Sequence, residues 1–167
     1  MNDIQIGEGF VGNGVNAAHT NTVLGHRSGP VGVAWATALA TPRGGHVPFL
    51  TVAQPGVAVK PMTLFVNKAA MESDLHGTLT WGAAQAGLAA GVADAVREGV
   101  IPAAAVDDLV LIAAVWVNPG ANDEEEVFAN QRQAAYESLV RGAKSSPSVD
   151  EFLTAAEQVA NPFFRQG

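Results

Sequence analysis

Apolar residues alternate with small or polar ones from Ile4 to Val11, the period-2 pattern of a half-buried strand. Gly12-Asn13-Gly14 reads as a turn and Asn16 to Leu24 as a second strand, so the two predict a hairpin. Gly25 to Pro30 reads as an irregular loop. Val31 to Ala40 is Ala-rich, with Trp35 and Leu39 at helical spacing, and predicts a helix ended by Thr41-Pro42-Arg43-Gly44-Gly45. Val47 to Ala53 and Met62 to Asn67 are β-rich runs. Pro55 and Pro61 lie between them and cannot join a regular ladder. A long helix is expected from about Glu72 to Glu98, with Leu88, Val92, Ala95 and Val96 as its apolar stripe and Gly99 as its stop. Gly82, Gly87 and Gly91 each weaken that helix by up to about 1 kcal/mol, which points to close approach of another backbone or a ligand. Pro102 to Val106 predicts a helical turn. Leu109 to Val117 is continuously apolar and predicts a central strand buried on both faces. After a turn at Asn118-Pro119-Gly120, Asn122 is the expected cap of a helix running to about Lys144, with Asp123, Glu124 and Glu125 in its first turn. Ser145 to Ser148 breaks it, and Val149 to Val159 predicts a last helix. This order predicts an α+β fold, one mixed β-sheet with helices packed on it, in a single domain over residues 1–167.

Composition narrows the function classes. Apolar residues make up 48% and charged residues 15%, enough for a core and too apolar for disorder. With no cysteine, disulfides, zinc–thiolate sites, Fe–S clusters and cysteine nucleophiles are excluded. The net charge of −7 argues against nucleic acid or an anionic membrane as partner. It is unevenly spread: residues 1–70 carry four basic and two acidic side chains, residues 71–167 five and fourteen. An anionic ligand is therefore expected in the N-terminal part. Met1 to Gly14 lacks the features of a signal peptide, and the longest apolar run, Leu109 to Val117, is too short to span a membrane. A soluble cytoplasmic protein is expected.

Gly7-Glu8-Gly9-Phe10-Val11-Gly12 matches GxGxxG on paper, but a strand rather than a helix follows it, so no dinucleotide site is expected. The acidic run Asp123 to Glu126 reads as a solvated helix start rather than a cation site. The histidines are His19, His26, His46 and His76, with no pair at metal-ligand spacing, so no metal is expected. His19 stands mid-strand on one face with Ala17 and Asn21, where packing does not need a polar ring. A structural and a catalytic role both remain open for it. His26 and His46 read as loop residues and His76 as a helix-surface residue. Lys68 ends an apolar strand, as an edge charge or a ligand contact. Gln85 is a lone amide among Gly and Ala, bonding locally or reading a ligand edge.

Taken together, three segments resemble the formaldehyde-activating enzyme family, the tetrahydromethanopterin hydro-lyases. They are IGEGFVGNGVNAAHTNTVLGHRSGP, AQPGVAVKPMTLFVNKA, and GAAQAGLAAGVADAVREGVIP followed by DDLVLIAAV. The second carries the family hallmark K-P-x-T-L-x-x-N-K, and the segments fall in order from about Ile4 to Val115. The resemblance implies a ribosomal protein S5 domain 2-like two-layer sandwich and a homopentamer. It implies a metal-independent lyase that condenses formaldehyde with the reduced pterin tetrahydromethanopterin, as co-substrate, to methylene-tetrahydromethanopterin and water. Its setting is one-carbon metabolism or formaldehyde detoxification. Carried over by position, the general acid falls on His19, and the pterin contacts fall on Leu50, Lys68 and Gln85. Two further binding positions depart from the family: its aspartate is Asn21 here, and its threonine is Ala70. These departures motivate two other readings. One is a divergent paralogue that uses another amine acceptor such as tetrahydrofolate. The other is a non-catalytic ring protein that binds formaldehyde or a pterin.

Overall fold

The computed structural model describes residues 4–161 together with 164 and 165. Residues 1–3, part of the segment read for a signal peptide, lie outside the described residues, as do 162, 163, 166 and 167 of the predicted domain.

The first strand, β1 (Ile4–Val11), pairs antiparallel with β2 (Ala18–His26), the expected hairpin. Gly12 and Gly14 take φ of 86° and 69° in the connection, where a side chain would be strained. β2 runs through Gly25 and His26, two residues further than expected, because its partner strand offers a ladder to the end. Helix α1 (Pro30–Ala40) follows, opened by a proline in its first turn. The Val47 to Ala53 run is broken: β3 (Pro48–Leu50) joins the main sheet, while β4 (Val52–Gln54) turns off to pair with β5 (Val57–Ala58). β6 (Met62–Asn67) and β7 (Leu109–Val117) complete a five-stranded mixed sheet of order β1-β2-β7-β6-β3, with β6 and β7 parallel.

The long helical stretch forms in three pieces, α2 (Asp74–Thr78), a π-helical segment (Leu79–Ala84) and α3 (Gln85–Arg97). A 3₁₀ turn covers Ala103–Ala105. Helix α4 (Glu124–Lys144) is capped by Asp123, whose side chain accepts from the Glu126 N–H. The expected cap, Asn122, instead interacts with Asn16, a buried residue whose side-chain oxygen accepts from the N–H groups of Asn122 and Asp123. Helix α5 (Val149–Ala156) carries a capping box at Ser148 and Glu151 and ends three residues before the expected Val159. Short strands β8 (Ala160–Asn161) and β9 (Phe164–Arg165), not anticipated, close the described chain.

The core lies between one face of the sheet and helices α3 and α4, around Leu24, Phe65, Leu88, Val92, Leu111, Val115 and Leu139. Two glycine pairs allow this packing. A Cβ on Gly7 would stand 1.7 Å from the Ser138 carbonyl oxygen, and one on Gly9 would stand 2.1 Å from that of Ala134. Those glycines of the rejected nucleotide motif thus let β1 lie against the backbone of α4. Gly87 and Gly91 do the same for α3 against α4. Gly82 has nothing within 4 Å, so no other backbone approaches it.

The other face of the sheet is largely uncovered. β7 is central as expected, but it is not buried on both faces: Leu109, Leu111, Ala113, Val115 and Val117 are buried, while Ile112, Ala114 and Trp116 are only half-buried. On the same open face Ile6 is 68% exposed. His76 also departs from expectation. It is fully buried, with its Nε2 3.0 Å from the Val117 carbonyl oxygen and its Nδ1 accepting from the Glu72 N–H. Those partners assign the ring proton to Nε2 and make this histidine a tie between α2 and the end of β7.

Candidate active site

The pairing register builds the site. Phe10 faces His19 across β1–β2, and His19 faces Trp116 across β2–β7, so all three point out of the open face. Lys68 follows β6, its N–H donating to the Val115 carbonyl and continuing the parallel ladder. These four residues line an open cavity of about 260 Å³. Asn21 lies one step along β2 on the same face, opposite Glu8.

Polar contacts tie the group together. Lys68 Nζ donates to Asn21 Oδ1 at 2.8 Å. His19 Nε2 stands 3.4 Å from Glu8 Oε1, and the imidazole tilts against the Phe10 ring with centroids 5.8 Å apart. Burial is the main cause that pulls the His19 pKa below its ordinary value; the Lys68 cation adds to this, and the Glu8 carboxylate opposes it. Lys68 is likewise lowered by burial, against the pull of Glu8. The site therefore holds an imidazole that gives up its proton readily and an ammonium that is partly desolvated.

The remaining sequence-selected residues lie apart from this centre. Leu50 shares the open face, but it pairs with Leu64, four residues and about 13 Å of strand before Lys68. Gln85 opens α3 and ties it to the sheet edge. Its Oε1 accepts from the Val52 N–H at 3.1 Å, and its Nε2 donates to the Trp81 carbonyl at 2.7 Å. Ala70 is exposed in the loop two residues beyond Lys68. The structure thus brings His19, Asn21 and Lys68 together and sets Leu50 and Gln85 in a second group near β4. Glu8, Phe10 and Trp116 were not singled out from the sequence. Phe10 and Trp116 read as ordinary apolar strand residues, and Glu8 was absorbed in the nucleotide-like glycine motif. The signal that finds Glu8 is its charge within the alternation of a hairpin strand opposite the histidine.

The other candidate histidines lie outside this group. His26 is exposed and contacts Ser28, and His46 is exposed beside a bridge to Arg43. Among the described residues no three His, Cys, Asp or Glu side chains converge as a metal site, and no helix is long and apolar enough to cross a membrane.

Comparison with known proteins gives the family. The family profile described as Formaldehyde-activating enzyme (Fae) matches residues 6–164. The 5,6,7,8-tetrahydromethanopterin hydro-lyase of Methanosarcina barkeri is 35% identical over 95% of this chain and 89% of its own length. The Bifunctional enzyme Fae/Hps of Archaeoglobus fulgidus is 34% identical over 96% of this chain, and that of Methanocella arvoryzae 37% identical over 88%. The chain spans only 41% and 37% of those two bifunctional proteins. By the profile match and by the likeness to a hydro-lyase over nearly its whole length, the chain belongs to the formaldehyde-activating enzyme family.

Proposed function

We propose that this chain condenses formaldehyde with tetrahydromethanopterin to methylene-tetrahydromethanopterin and water, with His19 as general acid. The observation that carries this reading is the placement of His19 on an open cavity beside Lys68 and Asn21, in a chain similar to a named hydro-lyase.

The chemistry needs few groups. The pterin N5 attacks the formaldehyde carbon, and its proton passes to the oxygen, giving an N-hydroxymethyl adduct. Hydroxide is a poor leaving group, so the C–O bond breaks as His19 delivers its proton and water departs. N10 closes the ring on the resulting iminium carbon and returns a proton to the neutral imidazole. A group titrating near neutrality suits this exchange, and general acid catalysis contributes about 10²–10⁴-fold. The lowered His19 pKa makes it the stronger acid once protonated. Lys68 donates to an oxygen of the co-substrate.

Leu50 packs on the pterin ring, and Gln85 hydrogen-bonds its edge. The Gln85 amide keeps one acceptor lone pair and one N–H beyond its bonds to Val52 and Trp81. Because Leu50 and Gln85 stand away from His19 in one chain, one ligand engages both groups in a homo-oligomer, a pentamer by family resemblance. The uncovered apolar sheet face supports such assembly. We place the protein in the cytoplasm, acting in one-carbon metabolism or formaldehyde detoxification, with no metal.

The rate of methylene-tetrahydromethanopterin formation, with and without protein and beside His19→Ala, tests this reading. Acceleration that disappears in the variant is expected. No acceleration, or full acceleration in the variant, overturns it. Tetrahydrofolate run in parallel tests the acceptor, since Asn21 replaces a carboxylate of the family by an amide and Ala70 removes a hydroxyl.

A further inference from the structure

We propose that Glu8, clamped by Arg141, is the positioning residue of the acid: it fixes the His19 ring through Nε2. This rests on the reading of His19 as the acid.

Three observations carry it. First, Glu8 Oε1 lies 3.4 Å from His19 Nε2, so that nitrogen is the one turned toward the carboxylate. Second, the carboxylate is itself held. Arg141 reaches from α4 around the edge of β1 and donates through Nη1 to the Glu8 backbone carbonyl at 2.8 Å and to Glu8 Oε2 at 3.3 Å. Glu137, one turn earlier on α4, accepts from Arg141 Nη2 at 3.3 Å and fixes the guanidinium. Third, Glu8 is 51% exposed, and its two carboxylate oxygens are divided between Arg141 and His19. A carboxylate behind an imidazole sets the ring's orientation and favours its protonated form.

The charged groups facing His19 are Glu8 from β1 and Lys68 at the end of β6; β7 presents Trp116, which carries no charge. Glu8 raises the proton affinity of the ring while Lys68 and burial lower it, so removing Glu8 leaves the lowering influences unopposed. Arg141 holds the carboxylate in place, so its removal loosens the contact through which Glu8 acts.

The test is the imidazole titration of His19, followed by NMR in the intact protein, together with the pH dependence of kcat/KM. Glu8→Gln is expected to move the His19 midpoint down by about half a unit or more, and the alkaline limb of the rate with it, a loss of about 3-fold or more above neutrality. In an Arg141→Met background the same Glu8→Gln change is expected to move the midpoint by less, because the unclamped carboxylate no longer holds the ring. Glu8→Asp, which restores the charge on a shorter stem, is expected to recover part of the shift. A folded Glu8→Gln protein with an unmoved His19 midpoint overturns the inference, as does a Glu8→Gln shift that is the same size with and without Arg141→Met. The titration needs no turnover. Shifted midpoints in a protein that condenses nothing overturn the hydro-lyase reading and leave the Glu8–His19 coupling standing.

Discussion

Lys68 reaches past the end of β6 to rest its ammonium on the amide oxygen of Asn21, 2.8 Å away, so the cation nearest His19 is paired with a neutral group. A carboxylate at the same place would favour the charged forms of both neighbours. Burial and Lys68 hold His19 below its ordinary pKa, so with His19 as the proposed acid turnover is expected to fall as pH rises through that lowered midpoint. Asn21→Asp is expected to move this limb toward higher pH, since added negative charge holds the proton on the ring. The kcat/KM profile of the two proteins checks it.

Among the glycines of the sheet–helix packing, some are needed for close approach, whereas Gly82 in the helical stretch is not. Gly7→Ala and Gly91→Ala put a Cβ 1.7 Å and 2.3 Å from backbone oxygens of α4, which cannot move without the helix. Each is expected to cost at least about 3 kcal/mol or to prevent folding. Gly82→Ala meets nothing and is expected to be neutral or to stabilise by up to about 1 kcal/mol. Denaturant unfolding ranks them.

Beneath the site, Gln131 Nε2 donates to Thr20 Oγ1 inside the core, while Gln131 Oε1 is buried without a partner. Gln131→Met leaves the threonine hydroxyl without its donor and is expected to destabilise by about 1–3 kcal/mol. Adding Thr20→Val removes the orphaned group, and the double variant is expected to recover most of that loss. Thermal unfolding of the two single variants and the double variant gives the coupling.

Asp94 on α3 accepts from Arg132 on α4 and from Arg97 one turn along its own helix. Hydrogen bonds from Arg132 hold its pKa below the ordinary carboxylate value. A depressed carboxylate stabilises the fold above its unfolded pKa and loses that effect as pH falls through the folded one. Asp94→Asn is therefore expected to lower Tm at neutral pH and to match the parent protein in strong acid. Arg132 is 48% exposed and Asp94 19%, so solvent reaches the pair and the gap should also shrink in salt.

Local pattern made the strands of the hairpin, the central apolar strand and the long helices legible, because each is an unbroken run with one period. The split of Val47 to Ala53 was not legible: Thr51, which ends its pairing with β6, resembles any strand residue. His76 was misplaced because its burial comes from a carbonyl at Val117, far away in sequence. Within the site, His19 and Lys68 stood out as polar groups on apolar strands. Gln85 stood out too, but its bonds to Val52 and Trp81 depend on a break in helical period that no residue type announces.

That break, over Leu79–Ala84, fixes a phase between two helices. A π turn takes up one residue more than an α turn, and each α-helical residue turns the chain by about 100°. Deleting one residue there would let α2 and α3 fuse into a continuous α-helix, and everything before it would swing by about that angle. His76 would leave the end of β7, and the Trp81 carbonyl would no longer meet the Gln85 amide. The extra residue acts as a phase shifter: it lets one helix present two faces to two different parts of the sheet, which a uniform helix of the same length cannot do.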